Sequence, residues 1–84
     1  MSVVFDVEQA GCESCGKLIS AALIHVGTIE SIDIDESSDT ATVVLSGQPS
    51  PASVDAALEE ASAGAGHAYR VRAGSWRPWP EVVA

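Results

Sequence analysis

Apolar and polar positions alternate with a period of two from Ser2 to Glu8, with Val3, Phe5 and Val7 on one side and Ser2, Val4, Asp6 and Glu8 on the other. That pattern predicts a half-buried strand. Residues 9–13 break it and read as a loop. Cys15, Leu18, Ile19, Ala22, Leu23 and Val26 then recur at spacings of three and four, one apolar face of a helix. Ser14 or Cys12 can cap its start, and Gly27 reads as its stop. Ile29, Ile32 and Ile34 begin a second strand in which Asp33 and Asp35 point to solvent. Residues 36–39 form a polar turn, and Ala41, Val43 and Leu45 continue as a third strand, so the pair is a hairpin.

Ser50-Pro51 predicts a second helix, with serine as N-cap and proline in the first turn. Val54, Ala57, Leu58 and Ala61 form its inward face, and Gly64-Ala65-Gly66 end it. Residues 68–73 predict a fourth strand, with Tyr69 and Val71 on one face and Arg70 and Arg72 on the other. The order strand–helix–strand–strand–helix–strand is the α+β, ferredoxin-like βαββαβ sandwich: a four-stranded antiparallel sheet with two helices on one face. The last stretch, 74–84, carries Trp76, Pro78, Trp79 and Pro80. Its prolines forbid a regular helix. It reads either as a loose tail or as a segment whose tryptophans cover the open sheet face or a neighbour.

Composition changes this picture in two ways. Eighty-four residues make one domain with a modest core. Four Lys and Arg against twelve Asp and Glu give a net charge of −8, which disfavours nucleic acid and anionic membrane surfaces and suits a basic protein partner. No apolar run approaches the ~20 residues of a membrane span. The N-terminus has no secretory signal pattern, so a cytoplasmic protein with free thiols is expected.

The chemistry is concentrated in Cys12-Glu13-Ser14-Cys15, at the turn from first strand to first helix. Two intervening residues let one sulfur come from the loop and the other from the first helical turn. The helix N-terminus, with its unpaired N–H groups and partial positive charge, favours thiolate, and Lys17 adds charge nearby. Two soft thiolates suit a low-coordinate d10 ion such as Cu(I) and leave the tetrahedral shell of structural zinc unfilled. Zn(II), Cd(II) or Hg(II) binding on the same pair is the alternative, with Glu13 as an added oxygen ligand favouring the harder ion. Thiol–disulfide exchange is a further one, although thioredoxin-like motifs carry different intervening residues. His25, ten residues beyond Cys15 and about 15 Å along a helix, reads as a surface residue.

Residues 1–73 resemble the heavy-metal-associated domain family of small copper chaperones and the N-terminal domains of metal-exporting P-type ATPases; 74–84 is then a Trp/Pro tail. The resemblance rests on residues 10–15 (Ala-Gly-Cys-Glu-Ser-Cys), on the helix pattern Cys15, Ile19, Leu23 and Val26, on Gly27-Thr28-Ile29, and on Gly66-His67. The family pattern is Gly-Met-x-Cys-x-x-Cys. Here Gln9 stands for the glycine and Ala10 for the methionine, a packing residue in the family. The Gly66-His67 loop is similar to that of cyanobacterial-type copper chaperones. The resemblance implies a Cu(I) carrier rather than an enzyme, with Cys12 and Cys15 as ligands and His67 within reach as a third. It implies as partner a metal-transporting ATPase or another CxxC domain, or a metal-bridged second copy.

Overall fold

A computed structural model describes residues 2–47, 49–66 and 68–79. Its elements are β1 (Ser2–Glu8), α1 (Glu13–Leu23), β2 (Thr28–Asp35), β3 (Thr40–Ser46), α2 (Pro51–Ala65), β4 (Arg70–Val71) and β5 (Arg77–Trp79). The sheet order β2-β3-β1-β4 is the expected ferredoxin-like one, and all pairings are antiparallel. His67 lies outside the described residues.

Registration follows from the alternation. Val3, Leu45 and Ile29 form one cross-strand row, Phe5, Val43 and Ile32 the next, and Val7, Ala41 and Ile34 the third. The helices lie on this face. Cys15, Ile19 and Leu23 of α1 and Val54, Ala57 and Leu58 of α2 close the core over it. A one-residue slip would turn every one of these strand side chains to water, so the register is strongly specified. On the opposite face the rows are polar, with Thr42 Oγ1 donating to Asp6 Oδ1 at 2.7 Å. The exception is Val4 beside Val44; both are buried there, although alternation assigns Val4 to the solvent side.

The hairpin turn falls where the polar residues predict it. Ser37 donates to Asp35 Oδ1 from both its backbone N–H and its hydroxyl, and the hydroxyl bond in particular holds the Asp35 carboxyl below its ordinary pKa. Ser50 caps α2 in a reciprocal box with Ser53, and Gly66 ends it in the left-handed region. Leu18, expected to face inward, is 38% exposed: α1 turns Cys15, Ile19 and Leu23 into the core, and Leu18 lies at the rim between the helices. Gly27 does not stop α1 by its own conformation. The helix ends at Leu23, whose carbonyl accepts from Val26 and Gly27 N–H. Glycine is required at 27 because a Cβ there would stand 2.2 Å from the Ser46 carbonyl oxygen.

The fourth strand departs most from expectation. Only Arg70 and Val71 form the strand, opposite Glu8 and Val7, although Arg72 N–H still donates to the Asp6 carbonyl at 2.8 Å. The chain then bulges outward, and Ser75 Oγ fills the gap: it accepts from Asp6 N–H at 3.1 Å and donates to the Arg72 carbonyl at 2.7 Å. Beyond the bulge the Trp/Pro segment returns as β5, setting Arg77, Pro78 and Trp79 opposite Val4, Val3 and Ser2. Proline is tolerated there because β5 is an outer strand. Trp76 enters the helix side of the sheet and stacks on Phe5, with ring centroids 5.1 Å apart and planes 12° from parallel. Residues 77–79 are therefore part of the sheet and Trp76 packs against the core, so neither expectation for this segment holds: it is no loose tail, and Trp76 covers the helix side of the sheet rather than its open face because it is set beside Phe5.

Replacing Trp76 by alanine removes a large half-buried ring and the anchor of β5. Urea denaturation is expected to show about 2–3 kcal/mol of lost stability, somewhat below the cost of truncating a fully buried aromatic. The sole tyrosine gives a second test. Burial pushes the Tyr69 phenol above its ordinary value of 10.0. A folded pKa above the unfolded one contributes stability that is present below pH 10 and lost as pH rises through the folded value. Ultraviolet titration of the native protein should therefore place the phenol higher than in denaturant.

Candidate metal centre

The loop carrying the first cysteine must turn from β1 into α1 within four residues. Gln9 takes a left-handed backbone, φ 59°. Ala10 then enters the core with no exposed surface. The packing role of the family's methionine thus passes to a smaller side chain. Ala10 N–H donates to the Asp39 carbonyl at 3.1 Å and Gly11 N–H to Asp39 Oδ1 at 2.9 Å, so the β2–β3 turn holds the loop.

Cys12 is the N-cap of α1, in extended conformation, and its Sγ accepts from Cys15 N–H at 3.1 Å. Ser14 lies inside the helix, so of the two candidate caps the cysteine holds the position. A sulfur at a cap receives a helix amide directly, the arrangement that favours thiolate in the reduced protein. Cys15, one turn in, is 1% exposed and belongs to the core, whereas Cys12 is half-buried. The two Cα atoms are 5.1 Å apart and the sulfurs are joined as a disulfide, where free thiols were expected, because the loop and the first helical turn bring them within bonding reach. The same convergence lets both sulfurs, once reduced, meet one ion at the end of the domain.

The remaining candidates stand as follows. Among the described residues no third Cys, His, Asp or Glu joins the two sulfurs in a metal-sized group. Glu13 is exposed and shares a recess with Ile34, Asp35 and Glu36. Lys17 is exposed on α1, and His25 is exposed beside the groove between the helices, the surface position its spacing predicts. His67 lies outside the described residues; after it, Ala68 N–H donates to Gln9 Oε1 at 3.2 Å, and Tyr69 N–H to Ser62 Oγ at 2.9 Å. The second loop is thereby tied to the first. The roles of Gln9 and Asp39 were not visible in the sequence; the only signal was that Gln9 replaces a glycine of the family pattern.

This fold, with a cysteine pair at the β1–α1 junction, defines a class of small metal-binding domains. The heavy-metal-associated domain profile matches residues 4–64, and the chain belongs to that family. Two solved structures are similar. One, from work on crosstalk between Cu(I) and Zn(II) homeostasis, superposes with a TM-score of 0.56 at 26% identity, covering 81% of this chain and 96% of its own. The other, oxidized MerP from Ralstonia metallidurans CH34, superposes at 0.57 with 19% identity, covering 86% and 99%. No curated protein is a significant match. The protein is thus a heavy-metal-binding domain, and no helix among the described residues is long and apolar enough to cross a membrane.

The difference in burial predicts an order of reactivity. In the reduced protein, iodoacetamide should alkylate Cys12 well before Cys15, as read by peptide mass spectrometry over time. Equal rates would show that the loop opens on the timescale of the reaction.

Proposed function

We propose that this protein carries Cu(I) between thiolate sites in a reducing cytoplasm, with Cys12 and Cys15 as the ligands. The observation that carries this reading is the pairing of the two sulfurs at the N-terminus of α1, one capping the helix and one buried behind it. Soft donors in that number match a low-coordinate Cu(I) ion. A low-molecular-weight thiol reduces the disulfide: two electrons pass to the protein sulfurs, two protons are taken up, and the thiol is oxidised to its own disulfide. Loss of those protons on metal binding leaves two thiolates on Cu(I).

Transfer then needs no acid or base of this chain. A thiolate of the partner, a metal-transporting P-type ATPase domain or another CxxC domain, adds to the bound ion at the half-buried Cys12 side. A three-coordinate bridge forms, one donor thiolate leaves, and the exchange repeats with the second pair. His67 is proposed as a third ligand from the second loop, its imidazole able to leave on protonation near neutral pH. Glu8, Glu13, Asp35, Glu36 and Asp39 stand on the elements at this end of the domain, so the partner expected is one with a basic rim, steered electrostatically.

Anaerobic mass spectrometry with Cu(I) and, separately, Zn(II) tests the reading. The reduced protein should bind one Cu(I) against a competing chelator, and Cys12→Ser and Cys15→Ser should each abolish it; undiminished binding in both variants refutes the site. X-ray absorption should show sulfur neighbours, with one nitrogen lost in His67→Ala if the imidazole ligates. Preference for Zn(II) with oxygen or nitrogen neighbours would instead favour zinc handling. Transfer to a basic partner should slow as ionic strength rises.

A further inference from the structure

Two residues outside the cysteine pair grip the loop that carries Cys12, and both hold a backbone conformation that side-chain-bearing residues seldom adopt. Asp39, at φ 56°, accepts from two successive loop amides, Ala10 through its carbonyl and Gly11 through its carboxylate. Gly11 packs so close that a Cβ on it would stand 2.5 Å from Asp39 Cα. On the other side Gln9, at φ 59°, spans to the second loop through Ala68 N–H. Glycine would occupy either position with less backbone strain. A side chain kept at such a position is explained by what it does, and here each one makes a hydrogen bond across a loop boundary.

We propose that Asp39 and Gln9 are positioning residues for metal carriage, fixing where the Cys12 loop stands relative to α1 so that both sulfurs are presented together. This rests on the reading of Cys12 and Cys15 as metal ligands. Cys15 needs no such help, because its helix and the core hold it. Cys12 stands at the end of a four-residue connection whose amides at 10 and 11 are held by Asp39 and whose first residue is tied to the second loop. With Ala10 in place of a long packing side chain, hydrogen bonds take over part of the anchoring.

The test compares Asp39→Gly, Asp39→Asn, Gln9→Gly and Gln9→Glu in the full chain. The glycine variants remove the side-chain bonds while suiting the left-handed backbone, so their stability in urea should stay close to that of the parent. The asparagine and glutamate variants keep an acceptor oxygen. Cu(I) affinity, by competition with a chelator, should fall about tenfold or more in Asp39→Gly, the usual size of effect for partners that orient ligands. It should fall by a smaller factor in Gln9→Gly, and return to within about threefold of the parent in the two conservative variants. Parental affinity in both glycine variants overturns the proposal, as does equal weakening in Asp39→Asn and Asp39→Gly, which would make the effect one of charge.

The equilibrium of the Cys12–Cys15 disulfide with glutathione is read alongside and needs no metal. A looser loop lowers the effective concentration of one thiol at the other, so Asp39→Gly should shift that equilibrium toward the dithiol by about threefold or more, while Asp39→Asn should not. If the parent protein binds no Cu(I), the proposed function fails. The positioning of Cys12 then stands or falls on this equilibrium alone.

Discussion

The structure depends on β1 being held along both of its edges. On one side all seven residues pair with β3. On the other the job is divided: β4 takes Val7 and Glu8, β5 takes Ser2 to Val4, and Ser75 bridges the backbone between them. Phe5 sits at the middle of this strand, in the core below and stacked by Trp76 beside it. Because β1 runs directly into the metal loop, its fixed register decides where Gln9, Ala10 and Gly11 emerge. A strand free on one edge would leave the loop free to shift with it.

The site is assembled by a division of labour between the two cysteines. Cys15 belongs to the core and is held by the packing of α1 on the sheet. Cys12 belongs to the helix cap and is held by hydrogen bonds. The acidic surface follows the same economy. Arg70, Arg72 and Arg77 lie on or beside β4 and β5, and the Glu8–Arg72 contact, at 3.8 Å between half-exposed groups, contributes at most about 1 kcal/mol. The carboxylates of β2 and its turn have no such cations in their own segment.

Most of the architecture was legible because short-range patterns carried it. Period-two alternation located β1, β2 and β3, and the three- and four-residue recurrence located both helices. Ser50-Pro51 marked the start of α2 to the residue, since capping is a local interaction. Errors came where a residue's role depends on what lies across from it. Leu18 fits the helical stripe but meets the rim between two helices. Val4 falls on the polar phase of β1 yet is buried between Val44 and Arg77 in the register. Gly27 looks like a helix stop and is instead a point of contact with β3.

The sequence by itself determined the element order, the sheet face that carries the core and the cysteine pair at the start of α1, because periodicity, capping and motif spacing act over a few neighbouring residues. Tertiary structure alone decided three things. It split the fourth strand and brought residues 77–79 back along β1, a pairing across more than seventy residues of chain. It buried Val4 beside Val44 on the face that alternation gives to solvent. It also set Asp39 and Gln9 as the grips on the metal loop, since a hydrogen bond between Gly11 and Asp39, or between Gln9 and Ala68, exists only once the hairpin and the second helix have docked beside β1.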